Sequence, residues 1–336
     1  MSNENKTGAI VGRDEDGIRL DRWFKRHYPG LTHGRLEKLL RTGQVRLDGK
    51  RAKASDRLAG GQTLRLPPQL TGAGLEEKPK AARPQITGDS LEQYVLYMDS
   101  SVIVLNKPPG LATQGGSGLT RHVDGMLDSL AFEKKQRPRL VHRLDRDTSG
   151  VLVVARNVAA AAALAKSLAQ RDASKIYWAL TRGVPKKKRG TIKAALAKEG
   201  GHGPRGRDER MAVVEQGADE AKFAITDYVV LGQAGEEFAW VAAKPVTGRT
   251  HQIRVHLASL GTPIVDDFKY GGNEARGTGE IADKLHLHAR IIDIAHPDGG
   301  RLRVTAPVPA HMRRSWELFG FDPDDERDPF AKARKR

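Results

Sequence analysis

The chain has 336 residues, 38% of them hydrophobic, which is enough for two folded units with their own cores. Its 57 Lys and Arg against 41 Asp and Glu give a formal charge of +16, which favours a polyanionic partner such as RNA or DNA. The absence of cysteine excludes a disulfide framework, a thiolate nucleophile and cysteine-based zinc or iron–sulfur sites.

The first segment, residues 1–14, is polar and is predicted to be a disordered tail. It lacks the apolar stretch of a secretory signal, and no run in the sequence approaches the roughly 20 apolar residues of a membrane span. We therefore expect a cytoplasmic protein that has no membrane contact. We also expect it to be a monomer.

Residues 15–68 are predicted to form a small α+β unit. Apolar residues at helical spacing from Leu20 to Phe24 indicate a first helix, which Pro29-Gly30 would end. A second helix, starting near Thr32, places an apolar stripe on one face and basic residues on another. The stripe is Leu36, Leu39 and Leu40, and the basic residues are Arg35, Lys38 and Arg41.

The sequence VRLDGKR then predicts a hairpin that turns at Asp48-Gly49, and TLRL predicts another short strand. The segments RLDRWF, RLEKLLRTGQVRLDGKRAK and LRLP, in this order, resemble the S4 RNA-binding domain. The resemblance implies that the second helix and the following hairpin contact RNA. It makes Arg35, Lys38, Arg41, Lys50 and Arg51 the candidate contacts.

The charge of this region supports an RNA-binding role. Residues 19–66 hold 13 Lys and Arg against 4 Asp and Glu, a net +9 out of the +16 of the whole chain. The alternative is that these side chains form only a solvated charged helix face, as many basic helices do.

Residues 69–90 are rich in Pro, Gly and Lys and are predicted to be a linker. Residues 91–320 are predicted to form the second domain, and residues 321–336 a disordered tail. The second domain has many strand patterns and few helical ones, the latter at about 158–171 and 250–260. This pattern predicts an α+β fold built on a mixed, mostly antiparallel sheet.

Two segments of this domain concentrate polar chemistry. HRLDRDTSG, residues 142–150, places His, Arg and Asp just before an apolar strand, where charges need partners. KPVTGRTHQIRVHLA, residues 244–258, supplies further cations. A nucleophilic carboxylate must stay ionised in a partly dry pocket, although burial raises its pKa, and an adjacent guanidinium opposes that rise. We therefore predict that Arg254 pairs with Asp145.

HRLDRDTSG and GRTHQIRVH, together with the upstream NKPPG, resemble the pseudouridine synthase family of the large-subunit ribosomal and transfer RNA enzymes. The resemblance spans residues 18 to about 310 and implies the pseudouridine synthase fold. It implies that Asp145 is the catalytic carboxylate and that Arg143 enters the RNA stack. It also implies that Tyr177 stacks on the flipped uracil and is a candidate proton acceptor, and that Arg254 is the basic partner of Asp145.

The predicted reaction isomerises specific uridines in structured RNA, above all in large-subunit ribosomal RNA. It breaks the bond from C1′ to N1 and forms one from C1′ to C5 without net redox change, so we expect no cofactor and no metal. Transfer RNA is an alternative substrate, and a non-catalytic RNA-binding ribosome-assembly factor is an alternative function. A zinc site among His286, His288, His251 and His256 is disfavoured, because cysteine and the HExxH pattern are missing. A hydrolase built on Ser149 and His142 is disfavoured, because the GxSxG pattern is missing.

Overall fold

The structure is a computed structural model that describes residues 8–12, 15–28, 30–31, 33–71, 90–115, 121–132, 136–200 and 210–331. The chain divides into two compact units, Met1–Gln85 and Ile86–Arg336. The division falls within the predicted linker 69–90, of which residues 72–89 lie outside the described part. In the described residues, no helix is both long enough and apolar enough to cross a membrane.

The first unit packs helices against a small antiparallel sheet with the strand order β1-β4-β2-β3. Its helices are α1 (Leu20–His27), α2 (His33–Arg41) and α3 (Pro68–Thr71). Its strands are β1 (Gly8–Ile10), β2 (Arg46–Leu47), β3 (Lys50–Arg51) and β4 (Thr63–Arg65). Asp48 and Gly49 both have positive φ, 47° and 78°, so the predicted hairpin turns where the sequence indicated.

The apolar stripes of both helices face one core. Trp23, Phe24 and Leu36 are buried there with Leu64 of β4. One prediction fails in this unit: Gly8–Ile10, placed in the disordered tail 1–14, forms β1 and pairs with Thr63–Arg65. The other predicted tail residues, 1–7 and 13–14, lie outside the described part of the chain.

The second unit is built on one large sheet in which β8 and β14 are parallel and the other pairs are antiparallel. The strand order is β11-β10-β12-β13-β9-β14-β8-β6-β5, with β15 on β14 and β7 on β8. The α+β fold with a mixed, mostly antiparallel sheet is thereby confirmed.

The strands of this unit are β5 (Val95–Met98), β6 (Val102–Lys107), β7 (Arg139–Leu140), β8 (Ser149–Ala155), β9 (Ser174–Arg182), β10 (Arg189–Glu199), β11 (Arg210–Val214), β12 (Lys222–Ala234), β13 (Phe238–Pro245), β14 (Leu287–Ala295) and β15 (Arg301–Thr305). The helices are α4 (Val123–Met126), α5 (Val158–Ala169), α6 (Gln252–Ser259), α7 (Phe268–Gly271) and α8 (Ala310–Leu318).

Strand β8 lies in the middle of the sheet and is buried on both faces, which explains its continuous apolar sequence SGVLVVA. Val151 and Val153 pack with Leu164 of α5 on one face. Leu152 and Val154 pack with a second cluster on the other face. This rigid strand begins directly after the HRLD motif and fixes the position of the loop before it.

The segment after α8 is folded, contrary to the predicted tail over 321–336. Phe321 packs near the rings of Trp240 and Trp316, and the backbone carbonyl of Asp325 accepts a hydrogen bond from Arg290. Residues 321–331 therefore belong to the second unit, and residues 332–336 lie outside the described part.

Candidate active site

The HRLD loop, residues 142–148, is tied to the core by a buried lysine from β6. Lys107, 1% exposed, donates three hydrogen bonds from Nζ to backbone carbonyls. Its acceptors are Pro108, Leu111 and Arg146, at 2.9, 2.8 and 2.9 Å. Burial lowers the pKa of Lys107 to about 7, against the opposing charges of Asp147 and Asp145. Lys107 of the NKPPG motif thus holds the HRLD loop through the carbonyl of Arg146.

Two further residues of the loop, His142 and Leu144, are held by hydrogen bonds to buried residues. The backbone N–H of Leu144 donates to Thr113 Oγ1, which in turn donates to the Leu144 carbonyl, at 3.1 and 2.7 Å. His142 Nε2 accepts from the Val153 N–H at 2.9 Å, and burial followed by the charge of Lys175 lowers the His142 pKa to about 4. The even-numbered residues 142, 144 and 146 are therefore held by the core.

The residues between them, Arg143 and Asp145, line a cavity. Arg143 is exposed and Asp145 is 23% exposed, so both can reach a ligand. The cavity has a volume of about 290 Å³, near the lower end of the roughly 300–1,000 Å³ of ligand pockets. One small ring system can enter it.

Helix α6 forms the opposite wall of the cavity. Gln252, at the start of this helix, is buried and organises the turn before it. Its Oε1 accepts from Thr247 Oγ1 and the Arg249 N–H at 2.7 and 3.0 Å, and its Nε2 donates to the Ile225 carbonyl at 2.9 Å. The Thr-Gly turn of the second motif is thereby fixed beside the cavity.

The predicted pair of Asp145 and Arg254 is brought together, but Asp145 is not the main partner of the arginine. Arg254 Nη1 lies 4.0 Å from Asp145 Oδ2. The same guanidinium donates two shorter hydrogen bonds, of 2.7 and 2.6 Å, to Asp267. Although burial acts against it, these bonds raise the pKa of Arg254. Asp267 was not predicted from the sequence.

His251 is a second neighbour of Asp145 that was not predicted. Its Nε2 lies 3.8 Å from Asp145 Oδ2, and its Nδ1 lies 2.6 Å from Tyr270 Oη. Burial lowers the pKa of His251, in spite of the charge of Asp145. The guanidinium of Arg254 lies over the ring of Tyr270, 5.0 Å from its centroid. Tyr270 therefore contacts both neighbours of Asp145.

Tyr177 lies on β9 at the cavity wall, where the sequence predicted a stacking tyrosine. It packs against two clusters of buried residues, one with Ala289 and the other with Ala243. Burial, and then the charge of Asp145, raise the pKa of its phenol. In the resting site Tyr177 therefore carries its proton, and the predicted role as proton acceptor requires that this phenol proton leave first.

The candidate RNA contacts of the first unit lie on its surface. Their side chains are exposed in the structure: Arg35, Lys38, Arg41, Lys50 and Arg51. Arg41 of α2 and Arg51 of β3 line one groove together with Arg19 and Lys53. One predicted cation of the helix, Arg41, and one of the hairpin, Arg51, therefore line the same groove.

The histidines considered for zinc have structural partners. His286 contacts the Lys284 carbonyl and Ser315 Oγ, and His288 contacts Ser149 Oγ and the Ala306 carbonyl. Ser149 is itself buried and cannot act as a surface nucleophile. In the described residues, Asp99, His296 and Asp298 bring three ligand atoms together. Both ring nitrogens of His296 are already hydrogen-bonded, to Asp99 and to the Asp298 N–H.

Comparisons with known proteins show the family to which the chain belongs. The family model for RNA pseudouridylate synthase matches residues 101–259, which include the HRLD loop and α6. "Ribosomal large subunit pseudouridine synthase C" of Salmonella typhi is 36% identical over 95% of this chain and 99% of its own. The stretches LVHRLDRDTSGVLVVA and GGSG of this chain resemble this C type. "RNA pseudouridine synthase 4, mitochondrial" of Arabidopsis thaliana is 33% identical over 93% and 84%.

A solved structure similar to this chain bears a name of the same family. "Human RNA Pseudouridylate Synthase Domain Containing 4" superposes with a TM-score of 0.57 at 28% identity, covering 68% of this chain and 94% of that one. The family predicted from the HRLD and GRTHQIRVH motifs is confirmed, and the chain belongs to the RNA pseudouridine synthase family of enzymes.

Proposed function

We propose that the chain converts uridines in large-subunit ribosomal RNA to pseudouridine and that Asp145 is its catalytic carboxylate. The observation that carries the proposal is the position of Asp145. It is partly exposed in a cavity of about 290 Å³, with Arg254 and His251 within 4.0 Å of one oxygen. A carboxylate attacks or abstracts a proton in its ionised form, and the guanidinium of Arg254 places a positive charge 4.0 Å from one oxygen of Asp145.

The chemistry needs few groups. The glycosidic bond from C1′ to N1 breaks and a bond from C1′ to C5 forms, after which the C5 proton must leave. Asp145 can attack the sugar, attack the uracil ring or abstract a sugar proton. When the carboxylate is consumed in an adduct, its charge no longer opposes ionisation of Tyr177. Tyr177 can accept the C5 proton only after its own phenol proton has passed to water or to another base, and burial, the larger cause of its raised pKa, still opposes that loss.

The target nucleotide must leave its helix to reach this cavity, at a cost of a few kcal/mol. Arg143 is exposed at the cavity and can fill the space that the base vacates, because guanidinium planes stack on bases. Tyr177 at the wall can stack on the flipped uracil. These two side chains offset the cost of unstacking.

The substrate class is proposed from the relatives and from charge. The relatives named ribosomal large subunit pseudouridine synthase C match nearly the whole chain, which favours large-subunit ribosomal RNA over transfer RNA. The S4-like first unit, with Arg41 and Arg51 in one groove, supports binding of structured RNA outside the active site. We further propose that the protein acts in the cytoplasm and as a monomer.

The experiment is a modification assay with the purified full-length chain. Large-subunit ribosomal RNA transcripts and a pool of transfer RNA transcripts are each incubated with it, and pseudouridines are mapped by chemical labelling. We expect modification at discrete uridines of the ribosomal RNA. Modification of transfer RNA alone would overturn the substrate assignment. Binding without any modification would favour a ribosome-assembly factor instead.

A further inference from the structure

His251 has an unusual backbone conformation at the start of α6. Its φ of 53° lies in the left-handed region, which non-glycine residues seldom occupy. Such a conformation persists only where the surroundings hold it, and it is common at functional sites. Here it directs the imidazole into the cavity wall, with Nε2 facing Asp145 Oδ2 at 3.8 Å.

The partner of the other ring nitrogen determines which nitrogen carries the proton. Tyr270 Oη accepts the backbone N–H of Met211 at 3.2 Å and lies 2.6 Å from His251 Nδ1. The arrangement in which the phenol hydrogen also finds a partner is the one in which Tyr270 donates to Nδ1. In that arrangement a neutral imidazole carries its hydrogen on Nε2. This is the nitrogen that faces Asp145.

We propose that Tyr270 and His251 form a positioning pair that presents an Nε2–H to Asp145 and orients its carboxylate for reaction. This inference rests on the proposed role of Asp145. The 3.8 Å separation is longer than a hydrogen bond, so a small closure of the cavity around RNA completes the contact. One carboxylate oxygen is then held by His251, and the other is left to react.

The charges around the imidazole are consistent with this role. Burial lowers the pKa of His251, and the cations Arg254 and Lys269 act in the same direction, whereas Asp145 and Asp267 oppose them. Tyr270 faces the ring edge-on, 5.5 Å between centroids. The imidazole is therefore neutral near pH 7, and its tautomer, set by Tyr270, decides whether Asp145 meets a donor or a lone pair.

The test compares His251→Leu, His251→Gln and Tyr270→Phe in single-turnover modification assays between about pH 8 and pH 4.5, a range that extends below ordinary histidine titration because burial lowers the pKa of His251. His251→Leu removes the donor, and we expect the rate to fall about tenfold to a hundredfold, the usual effect of a hydrogen bond to a charged group. RNA affinity should not change. His251→Gln should recover much of the loss, because the glutamine Nε2–H reaches the same region.

Tyr270→Phe gives the sharper readout, because it keeps the ring beneath Arg254 and removes only the hydroxyl that sets the tautomer. We expect its rate deficit to shrink as the pH falls, since an imidazolium carries a proton on both nitrogens whatever its partner. His251→Gln should show no such recovery. A deficit that is constant with pH, or a glutamine variant no better than the leucine variant, would overturn the inference.

Asp145→Asn and the unmodified chain are measured in parallel. An inactive unmodified chain or an active Asp145→Asn variant would contradict the proposed function itself. The remaining outcome is that the unmodified chain is active, Asp145→Asn is inactive and His251→Leu reacts at the full rate. That outcome would contradict only the positioning pair.

Discussion

Arg254 is held by Asp267 rather than by the carboxylate that it faces. Its two hydrogen bonds to Asp267 are 2.7 and 2.6 Å long, while its distance to Asp145 is 4.0 Å. Asp267 is 1% exposed and Arg254 12%. The arginine is therefore fixed before RNA arrives, and its charge is placed beside Asp145 without a direct bond.

Replacing Asp267 should weaken both stability and catalysis. In Asp267→Asn a buried guanidinium loses its charged partner, which typically costs about 3–5 kcal/mol of unfolding free energy. We expect a loss of this size in urea unfolding and a slower single-turnover rate at unchanged RNA affinity. Asp293→Asn is the matched control, because its pair with Arg301 is far more exposed and such pairs contribute about 0–1 kcal/mol. Equal effects of the two variants would contradict the account.

Lys107 should be required for the position of the HRLD loop. Lys107→Met keeps the aliphatic stem but leaves three backbone carbonyls without their donor. The Leu111 carbonyl is buried, and an unsatisfied buried group costs about 1–3 kcal/mol, so we expect at least about 1 kcal/mol of destabilisation and a lower modification rate. Lys166→Met, on an exposed face of α5, should change neither quantity. Full activity of Lys107→Met would show that the loop is positioned by other contacts.

Gly150 should tolerate no side chain, because β8 and β14 approach closely there. A Cβ atom at Gly150 would lie 2.2 Å from the Ala289 carbonyl oxygen, and its φ is 107°. Gly299 has a similar φ of 102° with open space around it. Gly150→Ala should therefore destabilise the protein by about 1–3 kcal/mol more than Gly299→Ala, the usual cost of overpacking a core. Thermal unfolding of both variants measures the difference. Equal losses of stability would show that the positive φ, and not the close approach to Ala289, causes the loss.

Acid should destabilise the second unit through its buried histidines. Burial lowers the pKa of His288 to about 3 from 6.5. Between these values the unfolded chain binds the proton and the folded one does not, so stability is complete above the higher value and falls as the pH drops toward the lower. One such histidine contributes about 1.4 kcal/mol per pH unit. His288→Gln should reduce the slope of unfolding free energy against pH by this amount between about pH 6 and pH 4.5. An unchanged slope would show that His288 titrates in the folded state.

The sequence predicted the elements that carry their own periodicity. The strand SGVLVVA, the helix at 158–169 and the Asp48-Gly49 hairpin formed where expected, because local patterns and the final packing agree there. Strand β10, RGTIKAALAKE, was not predicted, since its alanines and lysines are helix formers. It is a strand because it pairs with β11 on one side and β12 on the other, which is information from distant segments.

Only part of the candidate site was predicted from the sequence. Asp145, Arg254 and Tyr177 belong to motifs and line one cavity. Asp267 and Tyr270 lie in a different segment, and no spacing rule connects them with α6. One signal was available: two adjacent acidic residues follow the apolar segment TPIV, and charges next to a core need partners.

The central claim is that Asp145 carries the chemistry. Asp145→Asn keeps the size of the side chain and removes its charge, so RNA should bind with nearly unchanged affinity while pseudouridine formation stops. The direct measurement is a single-turnover assay of this variant and of the unmodified chain on the same ribosomal RNA transcript, with binding measured on the same samples. No pseudouridine from the bound variant is the result that the account predicts, and pseudouridine formed by the asparagine variant would contradict it.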